Sequence, residues 1–231
     1  SFRYQGRVGG RHMQAVSVKV GDRYGPEFVN QIYRQLLTFN EDAVYYCMTD
    51  DKRGLNKDIQ VIPVADEFGD RKWWTKIELF KPGLFNEPTL YFDLDCFLHQ
   101  SPWELLQDYN KDKLGVLKTY WFSDDIATKI HQCTVNTSVM MINESNCEPL
   151  WKECEDNMEK IYKSFYGLDP WIYRRHLNDT YFFQPGLTYS FKHGCVFPND
   201  TESNKLRMVP VCVFDDVQNR DEILNELWQY K

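Results

Sequence analysis

No stretch of this 231-residue chain approaches the roughly 20 consecutive apolar residues a membrane-spanning helix needs. Any membrane association is therefore peripheral or through a partner. Basic residues are also short: 27 Lys and Arg face 34 Asp and Glu, giving a net charge of -7, and no local block of cations offsets it. That balance excludes general binding to nucleic acid or an anionic membrane surface, and a chain of this sign that handles phosphate needs a metal ion. The 7 Cys contain no CxxC pair and no His at zinc-finger spacing, which argues against a zinc module. Their odd number and the lack of a secretory leader point to reduced thiols and a cytoplasmic location. Asn-x-Ser/Thr triplets at Asn136, Asn143, Asn178 and Asn199 carry little weight in that setting. Gly and Lys are too sparse in Val20 to Gly25 for a phosphate-cradling loop, which disfavours a nucleotidyltransferase. Internal repeats, linkers and low-complexity stretches are absent.

What is present is apolar and aromatic material, 42% hydrophobic and 16% aromatic residues, enough for one continuous core with rings to spare for a ligand cleft. Residues 1–12, rich in Gly and Arg, read as a leader or frayed extension, and 13–231 as one folded domain, by itself or within a larger multidomain protein. Ala15 to Val20 has strand composition and breaks at Gly21; Pro26 then opens a helical pattern through Leu37. Further strands are expected at Ala43 to Met48, Ile59 to Val64, Thr89 to Phe92, Leu114 to Lys118, Ser138 to Ile142 and Met208 to Phe214. Helical spacing is expected over Arg71 to Phe80, Glu148 to Tyr166 and Arg220 to Trp228. Strands alternating with helices predict an α/β domain with a central, mainly parallel sheet.

The segment Leu90-Tyr91-Phe92-Asp93-Leu94-Asp95-Cys96-Phe97-Leu98 places two acids, one residue apart, at the end of a buried-looking strand. In extended backbone both carboxylates project to one side, toward a point beyond the strand's end, where open α/β folds hold ligands. Hard oxygen ligands there suit Mn²⁺ or Mg²⁺, which bridges a diphosphate and neutralises charge on a departing group. The bland alternative is that these acids cap the turn at Ser101-Pro102 or pair with a basic side chain. Other isolated groups, His99, His131 and His176 among them, read as structural. Trp73 and Trp74 read as core and cleft wall.

These residues, in their order along the chain, resemble the GT-A fold glycosyltransferases, in particular the group containing glycogenin and the bacterial lipooligosaccharide galactosyltransferases. The resemblance runs from about Ala15 to Trp228. Val16 to Gly21 with Tyr24 is similar to that group's first strand and uracil-facing loop, and Trp73 to Phe80 to the helix ahead of its D-x-D motif. Asp93-Leu94-Asp95 matches the motif itself. Asn136 to Ile142 resembles the strand carrying an Asn beside the donor sugar, with Ser138 where the family has Gly. Gly167 to Tyr173 resembles the segment whose Asp lies by the reacting carbon, with Pro170 where Gln is usual. Tyr189 to His193 and Val211 to Asp216 resemble the two segments that close over the diphosphate.

The resemblance implies a metal-dependent, retaining transfer from a nucleotide-sugar, a UDP-sugar, to a glycan or small-molecule acceptor. It implies Asp169 and Asn136 at the sugar, and Tyr24, Asp50, Lys76, Asp93, Leu94 and Lys192 around the donor. Asp93 and Asp95 would hold Mn²⁺ or Mg²⁺. The third ligand is expected to be Asp215, which stands where the family supplies a His, with His193 as the alternative.

Overall fold

The computed structural model describes residues 13–107, 109–119, 133–190 and 210–214. The extension 1–12, the helix expected at Arg220 to Trp228, and Lys192, His193 and Asp215 lie outside them.

Seven strands form the central sheet: β1 (Gln14–Lys19), β2 (Val44–Thr49), β3 (Gln60–Pro63), β4 (Thr89–Phe92), β6 (Leu114–Lys118), β7 (Val135–Ile142) and β8 (Thr180–Phe182), in the order β3-β2-β1-β4-β7-β6-β8. β1, β2, β3 and β4 run parallel to one another, and β6 is parallel to β8; β7 is antiparallel to both of its neighbours. A smaller three-stranded sheet joins β5 (Cys96–Leu98), β10 (Val211–Val213) and β9 (Thr188–Ser190). The expected architecture, an α/β domain with a mainly parallel sheet, is what the chain adopts.

Helices cover both sheet faces because successive strand residues point to opposite sides. In β4, Leu90 and Phe92 enter the core shared with α1 (Pro26–Phe39), while Tyr91 enters the other. The α1 residues Val29, Ile32 and Leu36 are fully buried against Ala15, Tyr45 and Cys47, each apolar side chain contributing about 1.5–3 kcal/mol by leaving water. The opposite face packs under α2 (Glu144–Ser164) and α3 (Leu168–Arg175).

Two expectations shift in detail. Lys72–Phe80 is a 3-10 helix rather than an α-helix. Of its buried residues Trp74, Thr75, Ile77, Leu79 and Phe80, three of them, Trp74, Ile77 and Phe80, lie three positions apart and share one face at three residues per turn. α2 begins at Glu144, ahead of the expected Glu148, because Asn143 and Asn146 form a reciprocal cap, each side chain accepting from the other's backbone N–H at 2.9 Å. Asn143 is 4% exposed in that cap, so its triplet is no site for a glycan.

Candidate functional site

The cleft opens where β1 and β4 end. It encloses about 550 Å³ and is walled by Lys19 and Val20 from β1 and its exit, by Asp22, Arg23 and Tyr24, and by Lys72, Trp73 and Lys76 from the 3-10 helix. Asp93, Leu94 and Asp95 form its floor, with Thr137 and Ser138 of β7 and the stretch Tyr166 to Pro170 opposite. Of the residues singled out from sequence, Tyr24, Lys76, Asp93, Leu94, Asp95 and Asp169 therefore meet in one cavity.

Backbone bonds fix the acidic turn from three sides. Asp93 N–H donates to the Ser138 carbonyl of β7 at 2.8 Å, Cys96 N–H to the Asp93 carbonyl at 3.0 Å, and Phe214 N–H to the Asp95 carbonyl at 3.1 Å. Behind the turn, Tyr45 donates to Ser17 Oγ at 2.7 Å, and Ser17 donates to the Phe92 carbonyl at 2.7 Å, a relay crossing β2, β1 and β4. A buried polar chain of this kind holds one register, because an unmade bond there costs about 1–3 kcal/mol.

The charges are tightly arranged. Lys76 Nζ contacts both Asp93 oxygens, at 2.7 and 2.8 Å, and the Tyr91 hydroxyl donates to the same carboxylate. Burial disfavours the ammonium, but Asp93, Asp169 and Asp95 outweigh it and hold the Lys76 pKa above the ordinary lysine value. The Tyr91 phenol is pushed well up by burial and by Asp93. Asp169 accepts from Thr137 N–H at 3.0 Å and from the Thr137 hydroxyl at 2.5 Å. Burial raises the Asp169 pKa; Lys76 and Thr137 offset part of the rise, and Asp93 adds to it.

Three carboxylates facing one ammonium leave a formal charge of -2 when all are ionised, the charge a divalent cation neutralises. Asp93 and Asp95 are hard-oxygen donors on the cleft floor, and Asp95 is only 9% exposed, so the donor set fits Mn²⁺ or Mg²⁺. Among the described residues no group of three or more His, Cys, Asp or Glu is arranged around a common point. Both candidates for a third ligand, Asp215 and His193, lie outside those residues.

Other expected residues sit elsewhere. Asn136 does not line the cleft; its Oδ1 accepts from Ser138 N–H at 2.9 Å, where β6 and β7 slip register between Val116 and Leu117. Asp50 accepts from Gly21 N–H at 3.1 Å, fixing the exit of β1 from outside the cleft. Its neighbour Asp51 is held by Arg53 at 2.7 Å. Sequence reasoning missed Lys19, Thr137 and Tyr166 as cleft residues. Lys19 had a signal, a charge within an apolar strand; Thr137 and Tyr166 had none.

No protein-family model matches the chain, and no curated protein matches it in sequence. Solved structures do. A crystal structure of the galactosyltransferase LgtC with donor and acceptor sugar analogs superposes with a TM-score of 0.65 at 14% identity, covering 94% of this chain and 96% of LgtC. The fold is that of a GT-A glycosyltransferase. The glycosyltransferase GlyE of Streptococcus pneumoniae TIGR4 superposes at 0.59 with 14% identity, over 94% of this chain and 64% of GlyE. The bifunctional glycosyltransferase WbbM gives 0.60 at 10% identity, over 96% of this chain and 50% of WbbM. No helix among the described residues is long and apolar enough to cross a membrane.

Proposed function

We propose that residues 13–231 form a metal-dependent glycosyltransferase domain that moves a sugar from a nucleotide-sugar, a UDP-sugar, to a hydroxyl acceptor on a glycan or small molecule, with retention of configuration. The observation that carries this reading is the convergence of Asp93, Asp95, Lys76 and Asp169 on one cleft at the strand ends of a GT-A fold.

In this reading Asp93 and Asp95 would hold Mn²⁺ or Mg²⁺ together with Asp215 or His193. The ion would supply Lewis-acid stabilisation of the departing nucleoside diphosphate. Lys76 orients the Asp93 carboxylate through both of its oxygens, and its ammonium presents a positive charge to the donor. Asp169, locked by both Thr137 donors, sits at the sugar and stabilises the positive charge that grows on the reacting carbon. Lys192 adds a cation toward the diphosphate, and Asn136 acts from behind Thr137 and Ser138 by holding β7 in its slipped register. Tyr24, beside the β1 exit, offers a ring face to the base.

The test is UDP release from a panel of UDP-sugars, with and without Mn²⁺. Metal-dependent release from one donor supports the reading. Absence of both hydrolysis and transfer, with UDP binding unaltered by Asp95→Asn, would reduce the chain to a non-catalytic binding module.

A further inference from the structure

Lys19 is the last residue of β1, 6% exposed, and it borders the cleft. Among the described residues its side chain has neither a hydrogen bond nor an ion pair. The carboxylates around it are committed elsewhere. Asp51 feels Lys19 at longer range but is bound by Arg53 at 2.7 Å, Asp50 takes the Gly21 N–H at 3.1 Å, and Asp93 is straddled by Lys76. Its ammonium stands at the cleft wall with Asp51 acting on it only at longer range and no carboxylate of the described residues in contact, which leaves its N–H donors open to a ligand. A ligand that brings an anionic oxygen to this end of the cleft would find a charged donor there, and an N⁺–H···O⁻ bond is about twice as strong as a neutral one. Lysine, with donors only and a full positive charge, suits an anionic phosphate oxygen better than the neutral O2 and O4 carbonyls of uracil.

We infer that Lys19 is a binding residue for a phosphate oxygen of the nucleotide in this cleft, acting whether or not a metal is present. The inference rests on the nucleotide-sugar reading above and adds to Lys76 and Lys192 a further, metal-independent cation at the β1 end. It makes Lys19 a determinant of affinity that a D-x-D motif does not report.

Isothermal titration of UDP, uridine and inorganic pyrophosphate into the full chain tests it, with EDTA and again with Mn²⁺. Lys19→Met should weaken UDP and pyrophosphate by roughly ten- to a hundredfold in both conditions and leave uridine unchanged. Lys19→Arg should keep most of the affinity. Without ligand, Lys19→Met should melt no lower than the parent, since it breaks no side-chain hydrogen bond or ion pair among the described residues. Unchanged UDP affinity in Lys19→Met, a loss shared equally by uridine, or equal losses in the Met and Arg variants would each overturn the inference. A parent chain that binds no UDP with or without Mn²⁺ would sink the nucleotide-sugar reading, and the Lys19 role with it.

Discussion

The ammonium of Lys76 straddles the carboxylate of Asp93, 2.7 Å from one oxygen and 2.8 Å from the other. A cation arriving at Asp93 must share that carboxylate with a lysine already seated on it. Lys76→Met should therefore bind Mn²⁺ several-fold more tightly, read by calorimetry, while transferring sugar more slowly. The same variant should lose about 2–3 kcal/mol of stability in EDTA, below the roughly 3–5 kcal/mol of a fully buried pair because Asp93 retains 24% side-chain exposure.

Asp95→Asn separates charge from shape. The amide fills the same space in the turn closed by Phe214 N–H, so the circular dichroism spectrum and melting temperature should hold. Mn²⁺ binding and UDP release should fall by about two to three orders of magnitude, as for removal of a group that stabilises transition-state charge. Activity within threefold of the parent would show that Asp95 is no ligand.

Acidity should act through Asp169. Its folded-state pKa lies above the unfolded carboxyl value of 3.8, so in the window between the two the folded chain keeps a proton that the unfolded chain releases. Stability then falls as pH rises through that window. Asp169→Asn removes this dependence and keeps an oxygen for Thr137, so the variant should gain on the parent as pH rises from about 4 to 7, measured by urea titration at each pH.

Thiol reagents report the core. Cys47, Cys96, Cys147, Cys154 and Cys212 are buried. Burial pushes the Cys47 thiol up to about 12, and the partly exposed Cys133 up to about 11. Native protein at pH 8 should therefore leave the five buried thiols unlabelled until denaturant is added. Rapid labelling of any of them would contradict the packing around the element that carries it, β2 for Cys47, β5 for Cys96, α2 for Cys147 and Cys154, and β10 for Cys212.

Much of the fold is visible in the residues themselves, since β4 and β6 occupy Thr89–Phe92 and Leu114–Lys118 as their apolar runs indicate. Asp93 and Asp95 are legible because acids in so apolar a run demand a purpose. Distant closure is not legible. Nothing in Thr137 or Asp169 foretells that residues 32 apart in sequence share a hydrogen bond, because the contact depends on β7 reversing between β4 and β6. The Lys72–Phe80 segment misleads for a local reason, three-residue and four-residue spacings being hard to tell apart over nine positions. His176, expected to be structural, bridges Glu153 at 2.6 Å and Asp179 at 2.9 Å and anchors the end of α3 to α2.

The bond from Phe214 N–H to the Asp95 carbonyl ties the acidic turn to β10, which the ribosome makes more than a hundred residues after Asp95. β5 has its antiparallel neighbour only once Val211 to Val213 has been synthesised. A nascent chain therefore carries an unclosed acidic turn until β10 emerges, with the β5 edge open to other strands. Expression conditions that slow translation between Leu98 and Val211 should lower the yield of soluble protein more than equal slowing ahead of Cys96.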